Sequence, residues 1–207
     1  MKLENGVTQG GAFSPYKGLI IAESMAEDVQ EAAETIEGVA KIDGTEIPIV
    51  MFADDAIELG TVEKAVQGLF TTTEKAAQRD GTDISVPKCE LMVIQLQNTP
   101  PDKNRKKWKI QDTCGNTIHE KEPEEGETEV SARYVGIHLQ KEGFRIHLQK
   151  TTKKMIAANG ALENLVLDNW PTPLAAHRQL YIAKVRSIAL YGAEVFGTDN
   201  CQTLNKT

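Results

Sequence analysis

Two adjacent acidic residues, Asp54 and Asp55, lie between two largely apolar runs, 47–50 and 56–59. The pattern predicts a strand, a tight turn and a return strand, with both carboxylates at the tip. Asp tolerates turn geometry, and the flanking Ile, Val and Phe favour extended backbone. Two carboxylates held together repel each other unless a cation lies between them, and hard divalent ions such as Mg²⁺ bind oxygen ligands of this kind. Such a site could position metal for phosphoryl transfer.

Helices are predicted on both sides of this acidic turn. Apolar residues at helical spacing predict a helix from Pro15 to about Glu37, with Ser14 as its N-cap. Asp43-Gly44 is a strong hairpin signal and predicts a turn between that helix and the acidic strand. After the acidic turn, an apolar stripe predicts a second helix over 62–77.

The second half of the chain alternates short strands with polar loops before a helical end. Strands are predicted over 84–86 and 90–96, a small hairpin over 108–119, and one strand over 133–139. The final helices are predicted at about 147–168 and 174–191. This order of helices and antiparallel strands indicates an α+β fold, not a regular βαβ alternation.

Composition limits the classes of function. The chain has 207 residues and a formal net charge of −7, and aromatic residues make up 5%. No apolar run approaches the roughly 20 residues that cross a bilayer, so no membrane contact is expected. The three cysteines, Cys89, Cys114 and Cys201, form neither a disulfide framework nor a metal-ligand spacing. We expect a reducing, intracellular setting, nuclear or cytoplasmic.

The charge is uneven along the chain. One basic cluster lies at 103–109 and another at 150–154, while 120–129 is strongly acidic. Either basic cluster is a solvated surface or a local site for nucleic acid on an otherwise acidic protein.

The order of several short motifs resembles the palm of a reverse transcriptase, most closely that of non-LTR (LINE-like) retrotransposons. The family has a Gly-x-x-Gln-Gly turn before a helix, an aromatic-Ala-Asp-Asp hairpin, a short strand ending in Lys, a Tyr-Leu-Gly strand and a late Tyr-Gly-x-Glu. The matching segments, in chain order, are Gly6–Pro15, Phe52–Asp55, Ser85–Lys88, Arg133–Ile137 and Leu190–Glu194.

The resemblance implies an RNA-directed DNA polymerase with a two-metal Mg²⁺ site. Asp54 and Asp55 would be the catalytic metal ligands. Gln9 and Gly10 would lie near the incoming nucleotide and template, Phe52 would pack under the site, and Lys88 would reach the triphosphate. The implied partners are an RNA template, a DNA primer and dNTP.

The same resemblance implies an incomplete enzyme. The family has another catalytic aspartate on a strand well before the Gly-x-x-Gln-Gly turn, whereas only residues 1–5 precede Gly6 here. We therefore expect an amino-terminally truncated domain that lacks part of the polymerase and is inactive alone. Its expected organisation is a partial palm over 1–97, a β-hairpin and strand connection over 98–139, and a helical thumb-like region over 140–207.

Two other hypotheses remain open. A non-catalytic reverse-transcriptase-like remnant would bind nucleic acid or protein. An unrelated α+β domain with an acidic turn is the more remote alternative.

Overall fold

The computed structural model describes residues 13–94, 105–125, 127, 129–141, 143–168 and 173–193. It divides the chain into two compact units, Met1–Glu122 and Pro123–Thr207. The elements of the first unit are α1 (Ser14–Ala33), β1 (Lys41–Ile42), β2 (Thr45–Glu46), β3 (Ile49–Phe52), β4 (Asp55–Glu58), α2 (Glu63–Arg79), a 3₁₀ turn (Val86–Lys88), β5 (Lys109–Gln111) and β6 (Thr117–His119). The elements of the second unit are β7 (Ser131–Tyr134), β8 (Ile137–Gln140), α3 (Arg145–Asp168), α4 (Leu174–Tyr181), a π-helical turn (Ile182–Arg186) and α5 (Ser187–Leu190).

The fold is α+β, which confirms the predicted class. Each sheet in the described residues is a two-stranded antiparallel hairpin formed by consecutive strands. Local turns produce these pairings. Asp43 and Gly44 both have positive φ, 50° and 81°, as a type I′ hairpin turn requires.

Helix α2 organises the first unit because both of its sides are buried. On one side Leu69 packs in a cluster with Val29 and Ala33 of α1 and with Val39. On the other side, Val66 and Phe70 lead a second cluster, whose remaining buried members are Leu91, Ile110 and Ile118. These apolar positions follow helical spacing, so the sequence predicts the stripe and the structure provides its two partners.

The second unit packs the β7–β8 hairpin with α3, α4, the π-helical turn and α5. Its buried residues include Ile146 on α3 and Val185 in the π-helical turn. Gln140, at the end of β8, accepts a hydrogen bond from the Ile146 backbone N–H at 2.7 Å, which satisfies a free donor in the first turn of α3.

Several predicted boundaries in the first unit are wrong. The first helix begins at Ser14, with Phe13 as N-cap, and ends at Ala33 instead of about Glu37. The strand predicted over 84–86 does not form. Residues 84 and 85 have irregular backbone and Val86 begins the 3₁₀ turn, in which Pro87 has no N–H to give to a sheet. Of the strand predicted over 90–96, the described part contains an isolated bridge from Leu91 to Glu120.

The second unit also departs from the predictions. The strand expected over 133–139 is a hairpin, since Val135 and Gly136 have φ of 46° and 78° and reverse the chain. The helix expected over 174–191 is interrupted by the π-helical turn at Ile182–Arg186. No helix among the described residues is long and apolar enough to cross a membrane.

Candidate functional site

The acidic residues lie on the β3–β4 hairpin. Phe52 pairs with Asp55, and Ile49 pairs with Glu58 at the base. Ala53 and Asp54 form the two-residue turn, so Asp54 lies at the tip as expected, whereas Asp55 is the first residue of β4. The expectation that both carboxylates occupy the turn is wrong, because two residues suffice to reverse the chain and Ala53 takes the first place.

The turn has a strained backbone. Ala53 has a φ of 55°, in the left-handed region that costs a residue with a Cβ about 1 kcal/mol or more. Positive φ at the first central residue is what a type II′ turn requires, and Gly is the residue best suited to it. This strain directs Asp54 to the tip, next to Asp55.

The two faces of the hairpin have different surroundings. Phe52 is 61% exposed and Val50 41%, on the face that carries Asp55. The expectation that Phe52 packs under the site therefore does not hold in the described residues. On the opposite face, Ile49 packs against the cluster around Leu69, and Glu58 contacts α2.

Glu58 is a carboxyl group on the inward face of β4. Its Oε1 lies 2.5 Å from the Thr73 Oγ1 of α2. Burial raises the pKa of Glu58 to about 7, and the hydrogen bond from Thr73 opposes that rise.

Lys88 lies at the end of the 3₁₀ turn and is exposed. Burial, and next the nearby Glu58 carboxylate, raise the pKa of the neighbouring Cys89 thiol. Two other predicted substrate residues, Gln9 and Gly10, lie outside the described residues.

The acidic pair has the ligand chemistry that Mg²⁺ prefers but too few ligands for a complete site. Mg²⁺ requires about six oxygen ligands in a near-octahedral array. Asp54 and Asp55 are exposed carboxylates at neighbouring positions, which suits a hard cation. Within the ranges that the structure describes, no group of three or more His, Cys, Asp or Glu residues converges in a way that could hold a metal. The described residues therefore offer two candidate ligands, fewer than Mg²⁺ requires.

The structure brings together two of the late sequence landmarks in the second unit. The Tyr191 hydroxyl donates a hydrogen bond to the Val135 carbonyl at 2.5 Å. Its ring lies against Gly136, where an added Cβ would be 2.9 Å from the ring carbon Cε1. The Tyr-Val-Gly and Tyr-Gly segments, 55 positions apart in the sequence, thus lock the β7–β8 turn to the end of α5.

The basic clusters are partly neutralised by acidic neighbours. Arg105 pairs with Glu120, and Lys107 pairs with Glu122. Lys150 lies 2.9 Å from carboxylates of both Glu124 and Glu127. The acidic segment 120–129 therefore offsets positive charge that a nucleic acid would otherwise meet. Lys153 and Lys154 on α3 remain exposed.

An antiparallel hairpin that presents paired aspartates and rests on helices is the arrangement of a partial polymerase palm. The family model for reverse transcriptase (RNA-dependent DNA polymerase) matches residues 1–178, which is most of the chain. The chain belongs to the reverse transcriptase family. Neither a curated protein nor a solved structure matches it.

Proposed function

We propose that this chain supplies the Asp54–Asp55 portion of a two-metal nucleotidyl-transfer site in an RNA-directed DNA polymerase of the non-LTR (LINE-like) type. The observation that carries the proposal is the β3–β4 hairpin, with Asp54 in its turn and Asp55 paired to Phe52. When bound there, Mg²⁺ would supply the positive charge that a primer hydroxyl and a triphosphate need during transfer.

The substrates that we propose are those of the family, namely an RNA template, a DNA primer and dNTP. Phe52 is well placed to contact them because its ring is exposed on the same face as Asp55. Gln9 and Gly10 would contribute from the glycine-rich segment that precedes α1 in the sequence. Lys88 would meet the triphosphate, which its exposure allows.

The helical region of the second unit would act as a thumb-like support for nucleic acid. The adjacent Lys153 and Lys154 on α3 expose two positive charges that phosphates can approach. The pairing of Arg105 and Lys107 with glutamates makes the other basic cluster a weaker candidate.

We propose further that the 207-residue polypeptide does not polymerise by itself. Two carboxylates leave most coordination positions of Mg²⁺ without a protein ligand, and no third acidic group joins them in the described residues. Another segment or another polypeptide would have to supply the missing carboxylate.

Primer extension on an RNA template, with Mg²⁺ or Mn²⁺, tests this proposal. The wild-type chain is compared with Asp54→Asn/Asp55→Asn, which keeps the side-chain size and removes both charges. We expect no templated incorporation by either protein. Incorporation by the wild type that disappears in the double variant would show a complete site in this polypeptide and contradict the proposed incompleteness.

The alternative function is a reverse-transcriptase-like module that binds nucleic acid without catalysis. The exposed Lys153 and Lys154 favour it over a module that binds protein. This alternative predicts that the protein binds a primer–template duplex but does not extend the primer. It further predicts that Asp54 and Asp55 do not bind metal.

A further inference from the structure

A carboxyl group beneath the acidic hairpin has a partner geometry that favours its protonated form. Thr73 is buried, and its Oγ1 lies 2.5 Å from Glu58 Oε1 and 3.1 Å from the Leu69 carbonyl oxygen. A threonine hydroxyl has one hydrogen, so it can donate to one of these acceptors at a time. If Glu58 is ionised, one of the two close oxygen contacts lacks a hydrogen.

Thr73 donates to Glu58 when that carboxyl is ionised, and protonation of Glu58 reverses the direction of this hydrogen bond. The carboxylic acid then donates to Thr73 Oγ1, and Thr73 donates its own hydrogen to the Leu69 carbonyl, a bond that threonine often forms within a helix. Both contacts become hydrogen bonds, and no ionised group is buried between β4 and α2. We propose that Glu58 is a positioning residue whose protonated carboxyl ties β4, and with it the Asp54–Asp55 hairpin, to α2.

The other groups around Glu58 agree with a neutral carboxyl. Across the hairpin its neighbour is the apolar Ile49, and from α2 the contact is the uncharged Thr73. From the 3₁₀ turn the nearby titratable group is Cys89, whose thiol has a raised pKa and is therefore uncharged near neutral pH. In the described part of the chain, burial is the main cause of the raised pKa of Glu58, and no basic side chain lowers it.

Because the pKa of Glu58 is raised, the stability that its contact with Thr73 provides depends on pH. The folded chain keeps the Glu58 proton up to a pH of about 7, whereas the unfolded chain releases it near 4.5. The stabilisation is therefore fully present below the unfolded value and is lost as the pH rises through about 7. Above that pH the ionised carboxyl loosens the attachment of β4 to α2.

The first test measures Glu58 without any metal. The side-chain carboxyl carbons of ¹³C-glutamate-labelled protein are titrated by NMR, and Glu58→Gln assigns the signal by its disappearance. We expect a midpoint near 7. A midpoint near the ordinary value of 4.5 would overturn the proposal, because Glu58 would then be ionised under the hairpin.

The second test measures the attachment of the hairpin. Glu58→Gln keeps a neutral group of nearly the same size, so at pH 8 we expect amide exchange in β4 to be at least about tenfold slower than in the wild type. At pH 4, below the unfolded pKa of 4.5, the two proteins should exchange alike. Glu37→Gln, an exposed glutamate in the same unit, is the matched control and should change neither rate. Equal rates for Glu58→Gln and wild type at pH 8 would contradict the tie.

Variants of Thr73 separate the hydrogen bond from packing. Thr73→Ser keeps the hydroxyl and should retain slow exchange in β4, whereas Thr73→Val keeps the shape and should accelerate it. Similar exchange in both variants would overturn the role of the hydroxyl.

The positioning role itself rests on the proposed metal site and needs its own readout. We expect the ratio of Mn²⁺ affinities, Glu58→Gln to wild type, to rise between pH 6.5 and 8, because only the wild type loses the tie. A constant ratio would contradict the positioning role even if Glu58 titrates near 7. If Mn²⁺ does not bind at all while Glu58 still titrates near 7, the proposed function fails and the hydrogen-bonded tie stands.

Discussion

Single residues fix the backbone at the turns of both units. Ala53 has positive φ at the acidic turn, and Gly136 has positive φ at the β7–β8 turn. Gly136 has a second constraint, because the ring of Tyr191 covers it and is held in place by its hydrogen bond to Val135. At this position both the backbone angle and the available space require the absence of a Cβ.

The substitution Gly136→Ala should therefore destabilise the second unit through two effects. Positive φ costs alanine about 1 kcal/mol, and contact with the held Tyr191 ring should bring the total to about 2 kcal/mol. Urea denaturation followed by circular dichroism measures the loss. Gly143→Ala is the matched control, since Gly143 also has positive φ, 62°, but has open space around it. Equal losses in the two variants would show that the Tyr191 contact is not constraining.

The residues at these turns also show what the sequence can predict. The Asp43-Gly44 turn is predictable because a hairpin turn depends on its own two residues. The turn at Val135-Gly136 is not, since valine rarely adopts positive φ and a single glycine is a weaker signal. Asp54 and Asp55 could be found from their apolar flanks, but the contact of Glu58 with Thr73 joins residues on separate elements. Local patterns do not contain that information.

At the level of elements, α2 does more than bury an apolar stripe. Its polar side chains bind the backbone of β5 and the turn that follows. Gln67 accepts from the Gln111 N–H at 2.7 Å and donates to the Gln111 carbonyl at 2.8 Å. Glu74 accepts from both the N–H and the hydroxyl of Thr113, at 2.8 and 2.7 Å. The bonds from Gln67 satisfy backbone N–H and C=O groups at the edge of β5 that would otherwise need a neighbouring strand.

Glu74→Ala should release this attachment. Glu74 is buried but Thr113 is exposed, so the variant loses two hydrogen bonds whose donors water can reach, at a cost of about 1 kcal/mol in the free energy of unfolding. Urea denaturation again provides the measurement. Lys75→Ala removes the exposed neighbouring side chain and should change stability by less than about 0.5 kcal/mol. Equal losses of stability in the two variants would show that the hydrogen bonds to Thr113 do not contribute measurably to the free energy of unfolding.

The sequence predicts the type of most elements better than it predicts the residues at which they begin and end. Apolar spacing gave both helices of the first unit and the last two helical regions, because burial of one face is a local pattern. It could not indicate that the 84–86 segment would pack as a turn against α2 instead of pairing as a strand, since that choice depends on Pro87 and on the cluster around Phe70.

At the level of the whole molecule, the chain is acidic overall although it belongs to a family whose members bind nucleic acids, which are themselves negatively charged. Its net charge is −7, and pairing with glutamates offsets several of the lysines and arginines. Binding of a template and primer would therefore depend on local features, such as the exposed Lys153 and Lys154 and the cation that we propose for Asp54 and Asp55. Metal binding at the hairpin is thus the property on which the proposed function depends.

Paramagnetic broadening by Mn²⁺ tests that property most directly. Mn²⁺ is added in small amounts to ¹⁵N-labelled protein, and the amide signals are compared for wild type, Asp54→Asn/Asp55→Asn and Asp43→Asn. Asp43 is the control because it lies at the turn of the neighbouring β1–β2 hairpin and has no adjacent acid. We expect selective broadening at residues 52–56 in the wild type and in Asp43→Asn, and its loss in the double variant. Broadening that is absent from this hairpin, or that persists in the double variant, would contradict the assignment of Asp54 and Asp55 as metal ligands.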